Sequence, residues 1–185
     1  MDIYEQINRL DELINYVNNE LPIFAQNVAA ADLAALVTNR VVQKGENYKG
    51  GQFSPYSTQT VAAWRFWGKS RTQAAEKKVR AQAKAKGALS YKTFRELNNL
   101  KAGAKNFEFT GEMWRKFGIV STIRTGPNFK IKIGGTTTAA QDKIDENSAR
   151  EGLSIVEASE KERQIVQQTA QGWLNRQANR ILNNE

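Results

Sequence analysis

The spacing of apolar residues changes along this chain, and this change constrains the fold more than any other feature. Near the start, apolar residues recur every three or four positions between Asp, Glu and Asn, which predicts an amphipathic helix over residues 1–21. Residues 129–133 instead alternate between apolar and charged, which is typical of a strand. Helical spacing returns after residue 159. We therefore expect an α+β fold, with several helices packed against a small antiparallel sheet that contains a β-hairpin, and a long C-terminal helix.

The first predicted helix has one apolar stripe, the N-terminal seam, formed by Ile3, Ile7, Leu10, Ile14, Val17 and Leu21. Packing of this seam on its own domain is the favoured interpretation, and contact with a neighbouring subunit is the alternative. Pro22 suits the first turn of a second helix, since its missing N–H would be unpaired there in any case. We interpret this more apolar helix, over residues 22–43, as the central core helix.

The hairpin prediction rests on two strand-like runs, residues 119–125 and 129–133, separated by Gly126-Pro127-Asn128. In the second run Phe129, Ile131 and Ile133 would face one side and Lys130 and Lys132 the other. Because unpaired strand edges invite strand addition, we expect the hairpin, about residues 117–134, to lie in a contact surface between subunits. Farther on, Ser159 and Glu162 have the spacing of a capping box for the final helix.

The residue composition makes several kinds of chemistry unavailable. The chain has 185 residues, which fits a single domain over 1–185, and it has no cysteine and no histidine. Disulfides, thiolate nucleophiles, Cys/His zinc sites and the usual general base of hydrolases are therefore excluded. Acidic pairs such as Asp142 with Asp145 lie in hydrophilic stretches, and we interpret them as a solvated helix face. We expect no enzyme activity, no catalytic residue, no metal and no cofactor.

Nothing in the sequence predicts contact with a membrane. The longest apolar run is interrupted by Asp32 and is far too short to span a bilayer. The first residues are acidic and do not have the basic start of a secretion signal. We therefore expect a soluble protein that is synthesised in a host cytoplasm.

The net charge of +8 is unevenly distributed. Residues 1–39 hold six acids and only Arg9 as a base, whereas residues 65–86 hold eight basic residues and one acid, Glu76. We expect a helix to start near Gln59 and to continue as a basic helical arm over residues 65–90. This arm has little to bury apart from Val79, so it would project into solvent or be ordered by a partner. The candidate contacts to an acidic partner or to DNA are Lys77, Lys78, Arg80 and Lys84.

Two tryptophans, Trp64 and Trp67, lie three residues apart at the start of this basic segment, and we expect Phe66 to point elsewhere. With the adjacent bases they would suit a stacking platform for nucleic acid. Packing in the core or at a subunit interface is the favoured interpretation, because indoles dominate buried contact area.

Two short motifs resemble a known family. Residues 52–60, Gln-Phe-Ser-Pro-Tyr-Ser-Thr-Gln-Thr, form a loop after the N-terminal helices, and residues 109–117, Phe-Thr-Gly-Glu-Met-Trp-Arg-Lys-Phe, follow later. In order and spacing they resemble the tail completion, or neck, proteins of tailed phages, the family that includes the virion morphogenesis protein of phage Mu. The resemblance covers about residues 23–165. Relative to short members of that family, residues 68–90 look like an insertion.

The resemblance implies structural rather than catalytic roles for the matching residues: Phe53, Pro55, Thr58, Thr60, Thr110, Gly111, Met113 and Trp114. Phe53 would anchor the loop and Pro55 would stiffen it. Thr110 would cap a short turn, Gly111 would permit close backbone approach and Met113 would pack inward.

The resemblance also implies a function, which is that of a structural virion protein. Such a protein would form a ring of about six copies at the neck, the head-proximal end of the tail, and would join the head to the tail. Its partners would be copies of itself and other neck, portal-adaptor, tail-tube or terminator proteins, with non-specific DNA contact also open. The alternative function is a sequence-independent nucleic-acid-binding protein that uses the basic arm against phosphates.

Overall fold

A computed structural model describes residues 2–108, 111–125 and 128–183 of the chain. The α+β prediction is confirmed, because the described residues form helices and two separate two-stranded antiparallel sheets. In chain order the elements are α1 (Ile3–Phe24), α2 (Ala30–Asn39), β1 (Thr60–Ala62), α3 (Gln73–Lys86), β2 (Ala88–Ser90), α4 (Tyr91–Leu97), α5 (Glu112–Arg115), β3 (Phe117–Thr125), β4 (Asn128–Gly135), α6 (Thr138–Glu151) and α7 (Glu160–Asn183).

The N-terminal third of the chain is one nearly continuous helical run. The predicted boundary at Pro22 is wrong, since α1 extends through Pro22 to Phe24, beyond the expected end at residue 21. A proline in a helix lacks an N–H donor, and a π-helical turn over Ala25–Ala29 follows it. Such wider turns absorb local distortion, so the helical run continues into α2 instead of ending. The run stops at Gly45, whose φ is 67°.

The main core surrounds the C-terminal half of this helical run, as the central-helix prediction requires. Val37 and Val41 are completely buried there. They pack with residues from the loop, the short helix α5 and the C-terminal third, namely Phe53, Met113, Ile144 and Ile155. A core that joins residues 37 to 155 ties the first half of the chain to the second.

The predicted β-hairpin is confirmed. Strands β3 and β4 pair from Phe117 opposite Gly135 to Thr125 opposite Asn128, with a bulge between Ile119 and Ser121. Ile133 packs against the main core, while Lys130 and Lys132 are exposed, in agreement with the predicted faces. Gly126 and Pro127 of the predicted turn and the side chain of Phe129 lie outside the described residues.

A second, smaller core lies under the basic segment. It contains Ala63, Phe66, Val79, Ala83, Leu89 and Phe94. The helix predicted to start at Gln59 is wrong, because residues 60–62 form β1 and pair with β2. Of the predicted helical arm over 65–90, only α3 is an α-helix, preceded by a 3-10 turn at Ala63–Phe66.

The expectation that this arm has little to bury is also wrong. Its alanines, with Val79, make a narrow apolar face that approaches α4 and β2 closely, so Ala75, Val79 and Ala83 are buried. That expectation considered large apolar residues only, whereas the small side chain of alanine lets a helix pack closely and bury its face.

Helix starts follow the local sequence signals. Ser90 caps α4 by accepting a hydrogen bond from the Thr93 amide at 3.1 Å. The predicted capping box at α7 is confirmed: the Ser159 amide donates to Glu162 Oε2 at 2.7 Å, and the Glu162 amide donates to Ser159 Oγ at 3.3 Å. None of the helices within the described residues is long and apolar enough to cross a membrane.

Candidate functional site

The first motif, residues 52–60, forms part of the scaffold. Phe53 is buried in the main core, where its ring meets Phe107 edge to face at 4.9 Å between centroids. Pro55 forms an isolated antiparallel bridge with Ala104. Thr58 and Thr60 are exposed, and Thr60 begins β1. The motif therefore joins the main core to the start of the small second core.

The second motif surrounds the short helix α5. Met113 is buried in the main core, and Trp114 packs edge to face on Phe117 at 5.5 Å. Thr110, expected to cap this turn, lies outside the described residues. Gly111 has a φ of 73°, and among the described residues a Cβ there would meet only side-chain atoms, at 3.9 Å. The expected role of Gly111 in close backbone approach is therefore wrong, and its left-handed backbone conformation is what favours glycine.

A buried polar cluster that the sequence did not predict connects α4 to the chain segments that come before and after the small core. The guanidinium of Arg95, which is 1% exposed, donates from Nε to the Lys101 carbonyl at 2.8 Å and from Nη2 to Asn106 Oδ1 at 2.8 Å. It also lies 4.1 Å from the ring centroid of Tyr56, whose hydroxyl donates to Asn106 Oδ1 at 3.0 Å. Burial raises the pKa of Tyr56, although the nearby Arg95 opposes the shift. We interpret this cluster as structural.

The most accessible chemistry lies on a surface that we call the basic aromatic face. It consists of Trp64, Arg65, Trp67, Lys77, Arg80 and Lys84. Trp64 is 62% exposed and Trp67 is 51% exposed, so packing in the core is wrong for both and packing at a subunit interface stays a prediction, whereas Phe66 points into the small core. The guanidinium of Arg65 lies 5.8 Å from the ring centroid of Trp64, and that of Arg80 lies 5.8 Å from that of Trp67.

One carboxylate positions this face. Glu76 Oε1 accepts hydrogen bonds from the Gly68 amide at 3.0 Å and from Arg80 Nε at 2.9 Å, so it connects the chain after Trp67 to α3. The hydrogen bond from the Gly68 amide contributes most to lowering the pKa of Glu76, and the hydrogen bond from Arg80 lowers this pKa further. Because Glu76 forms an ion pair with Arg80, its negative charge offsets mainly the charge of Arg80.

The candidate cations occupy the outer side of α3. Lys77, Arg80 and Lys84 follow one another at intervals of three and four residues, which places them in one row along the helix, and Lys78 lies beside that row. All four are exposed, opposite the buried Val79 side. Which partner they contact stays a prediction.

The N-terminal seam is the second accessible surface. Five of its members, Ile3, Ile7, Leu10, Ile14 and Val17, are between 39% and 65% exposed, so the favoured prediction that it packs on its own domain is wrong. Helix α1 reaches α7 through a different side, where Phe24 stacks on Trp173 at 3.7 Å and Tyr16 lies 5.4 Å from the same ring. The aromatic contact with α7 leaves the seam uncovered in a single copy.

The structure brings together no metal-binding constellation in the part of the chain that it describes. Asp142 and Asp145 are exposed on α6, in keeping with the solvated-face interpretation. Comparisons of the chain with models of known protein families, with curated proteins and with solved structures find no match. The functional argument therefore rests on the two exposed surfaces and on the motif resemblance.

Proposed function

We propose that this protein is a structural component of a tailed-phage virion, a tail completion or neck protein that forms a ring and joins the head to the tail. The observation that supports assembly most directly is the exposed N-terminal seam. Five large apolar side chains in one continuous stripe are unusual on the surface of a protein that works alone, and they are typical of an interaction surface.

The motif resemblance adds location and partners to this proposal. The ring has about six copies and lies at the head-proximal end of the tail, in contact with portal-adaptor and tail-tube or terminator proteins. The hairpin formed by β3 and β4 contributes to the ring contact, since Lys130 and Lys132 share its exposed face.

In this proposal the basic aromatic face contacts acidic protein surfaces. Every phosphate contact adds affinity through counterion release, and a conduit that must let DNA slide out would be hindered by such affinity. Complementary protein charge, in contrast, guides docking and fixes register without holding the genome.

The test is cryo-microscopy of the virion together with a charge variant. In the variant, Lys77, Lys78, Arg80 and Lys84 become Gln, which keeps helix propensity and removes four charges. We expect heads and tails that join poorly, or only at low salt. A matched control changes four exposed cations outside the basic aromatic face and should join normally: Lys44, Lys49, Lys161 and Arg176.

The proposal would be refuted by virions in which this protein is absent from the neck or occurs there without neighbouring copies. Neighbouring genes give an independent check, because portal, capsid and tail-tube genes beside this one are expected. A monomer in dilute solution would not contradict the proposal, since ring assembly depends on concentration and on partners.

A second candidate function is sequence-independent nucleic-acid binding, which the exposure of Trp64 and Trp67 beside Arg65 and Arg80 favours. Stacked bases would quench the fluorescence of these indoles, and the affinity would fall steeply with salt. Quenching by single-stranded DNA at physiological salt, lost in the four-Gln variant but kept in its control, would support this function. The neck proposal expects no such binding, together with normal DNA retention in variant particles that do join.

A further inference from the structure

We propose that the N-terminal seam of one copy docks on the basic aromatic face of the next copy. This inference uses only the assembly part of the proposed function, and does not depend on where in a virion the protein lies. Both surfaces are exposed within one copy, so neither covers the other, and the same chain supplies both halves of the contact.

The two surfaces are complementary in charge. Helix α1 holds four acids against Arg9 alone; Asp11 and Glu20 border the seam, whereas Glu5 and Glu12 lie on the opposite side of the helix and Glu5 pairs with Arg9 at 2.9 Å. The basic aromatic face holds four cations, and Glu76 is already engaged there with Gly68 and Arg80. Opposite charges on two surfaces steer their association and disfavour pairing of either surface with itself.

The two surfaces are also complementary in their apolar content. The seam offers Ile and Leu side chains, and the basic aromatic face offers two exposed indoles, which are among the residues most often central to interfaces. Covering Trp64 and Trp67 with the seam removes apolar surface from water on both sides.

The charges are placed so that both kinds of contact can form at once. On α1, Asp11 lies four residues after Ile7 and three before Ile14, and Glu20 lies three residues after Val17, so both acids border the seam. At about 100° per residue, Asp11 and Glu20 lie on opposite borders of the seam, about 14 Å apart along the helix axis, whereas Lys77 and Lys84 lie on one side of α3, about 10 Å apart. One acidic border of the seam can therefore meet the lysine row while the indoles meet the apolar residues of the seam.

A contact between two different surfaces of the same chain has a consequence for assembly. A head-to-tail contact leaves one free seam and one free face at every stage, so it adds copies, which form a ring when the rotation between neighbours closes and a filament when it does not. Pairing of two seams would instead stop at a dimer and would bring two acidic helices together.

The absence of cysteine in the chain permits a direct test with two single-cysteine variants. Leu10→Cys places a thiol on the seam, and Ala81→Cys places one on the outer side of α3 between Lys77 and Lys84, which leaves both indoles in place; both positions are exposed, so folding should be unaffected. One variant is lengthened by a tag to distinguish hetero- from homodimers. The mixed proteins are oxidised at high concentration and the covalent dimers are separated by mass. A matched control replaces Leu10→Cys with Asn8→Cys, an exposed position on α1 outside the seam.

We expect the Leu10→Cys and Ala81→Cys pair to form a mixed disulfide about tenfold faster than the Asn8→Cys control, because docking raises the effective concentration of the two thiols. A rate equal to that of the control would overturn the inference, whatever the oligomeric state. Faster formation of Leu10→Cys homodimers would also overturn it, in favour of seam-to-seam pairing.

Charge reversal provides a second measurement. Changing Asp11 and Glu20 to Lys should abolish the rate advantage, and so should changing Lys77 and Lys84 to Glu. Mixing these two charge-reversed variants should restore it. Cross-linking that is insensitive to either reversal would contradict the docking geometry. If the cross-link forms but the protein never enters virions, the proposed function alone is refuted. If a neck ring forms and the cross-link does not, this inference alone is refuted.

Discussion

Glu162→Gln is the most informative single change for the main fold. Glu162 is 6% exposed and each of its two oxygens has its own donors. Oε1 accepts from Arg40 Nε at 2.9 Å, and Oε2 accepts from the amide and hydroxyl of Ser159 at 2.7 Å and 2.9 Å. A glutamine has one acceptor oxygen, so its amide group must oppose a donor on one of these two sides.

The expected cost follows from what the variant leaves behind. Arg40 is also buried, and its other donors bind the carbonyls of Glu46 at 2.8 Å and Glu157 at 2.6 Å. Removing one partner of a buried ion pair costs about 3–5 kcal/mol, and since the remaining glutamine oxygen keeps one bond, we expect a loss of about 3 kcal/mol in the free energy of unfolding. The arginine charge would stay buried with only neutral acceptors.

Urea unfolding monitored by circular dichroism measures this loss. Glu160→Gln is the matched control, because Glu160 is exposed on the same helical turn, and its cost should be below about 0.5 kcal/mol. If Glu162→Gln costs less than about 1 kcal/mol with an unchanged denaturant slope, the two carbonyls alone satisfy Arg40, and the reasoning about the ion pair is wrong.

Three further predictions concern other parts of the structure. Gly45→Ala should cost at least about 1 kcal/mol more than Gly87→Ala in urea unfolding, because both glycines have a φ of 67° but only at Gly45 would the added Cβ meet the Cβ of Ala104, at 2.8 Å; equal costs would exclude that clash. Burial raises the pKa of Glu151, but bonds from Lys105 at 2.6 Å and from Ser54 outweigh it and hold the pKa below the usual 4.5. The stability from this lowered pKa is present above the unfolded-state value near pH 4.5 and is lost as the pH falls through the lower folded value, so Glu151→Gln should flatten the acid limb of the unfolding profile; an unchanged limb would contradict it. Ile131→Pro removes a ladder donor from β4 and should block assembly into virions, and normal incorporation of a folded variant would show that the hairpin is neither a core strand nor an interface.

The sequence predicted the elements whose signals are local. The alternation at residues 129–133 and the Ser159–Glu162 box each lie within a few residues, and both have the expected structure. Hydrophobic periodicity and helix capping depend on residues within one turn or one strand pair, so both can be recognised without knowledge of the rest of the fold.

What the sequence did not predict depends on contacts between distant residues. Thr60–Ala62 pairs with Ala88–Ser90, and a three-residue ladder with a long connection has no local signature. The Arg95 cluster joins residues 56, 95 and 106, and none of these residue types signals burial by itself. The general tendency of indoles to be buried does not tell a core position from a subunit interface, and in one copy Phe66 fills the small core while both tryptophans are exposed.

The bridge between Pro55 and Ala104 has consequences for the evolution of the chain and for its local unfolding. Because the polypeptide leaves the main body and returns to it at one point, residues 57–102 have the geometry of an inserted module. Such a module can be gained, lost or exchanged with little change to the body, and it can unfold locally at a free energy below that of the whole protein. Amide hydrogens of α3 and β2 should then exchange before those of α2. The hydrogen bonds of Arg95 hold the module in place, so they determine how much faster its amides exchange.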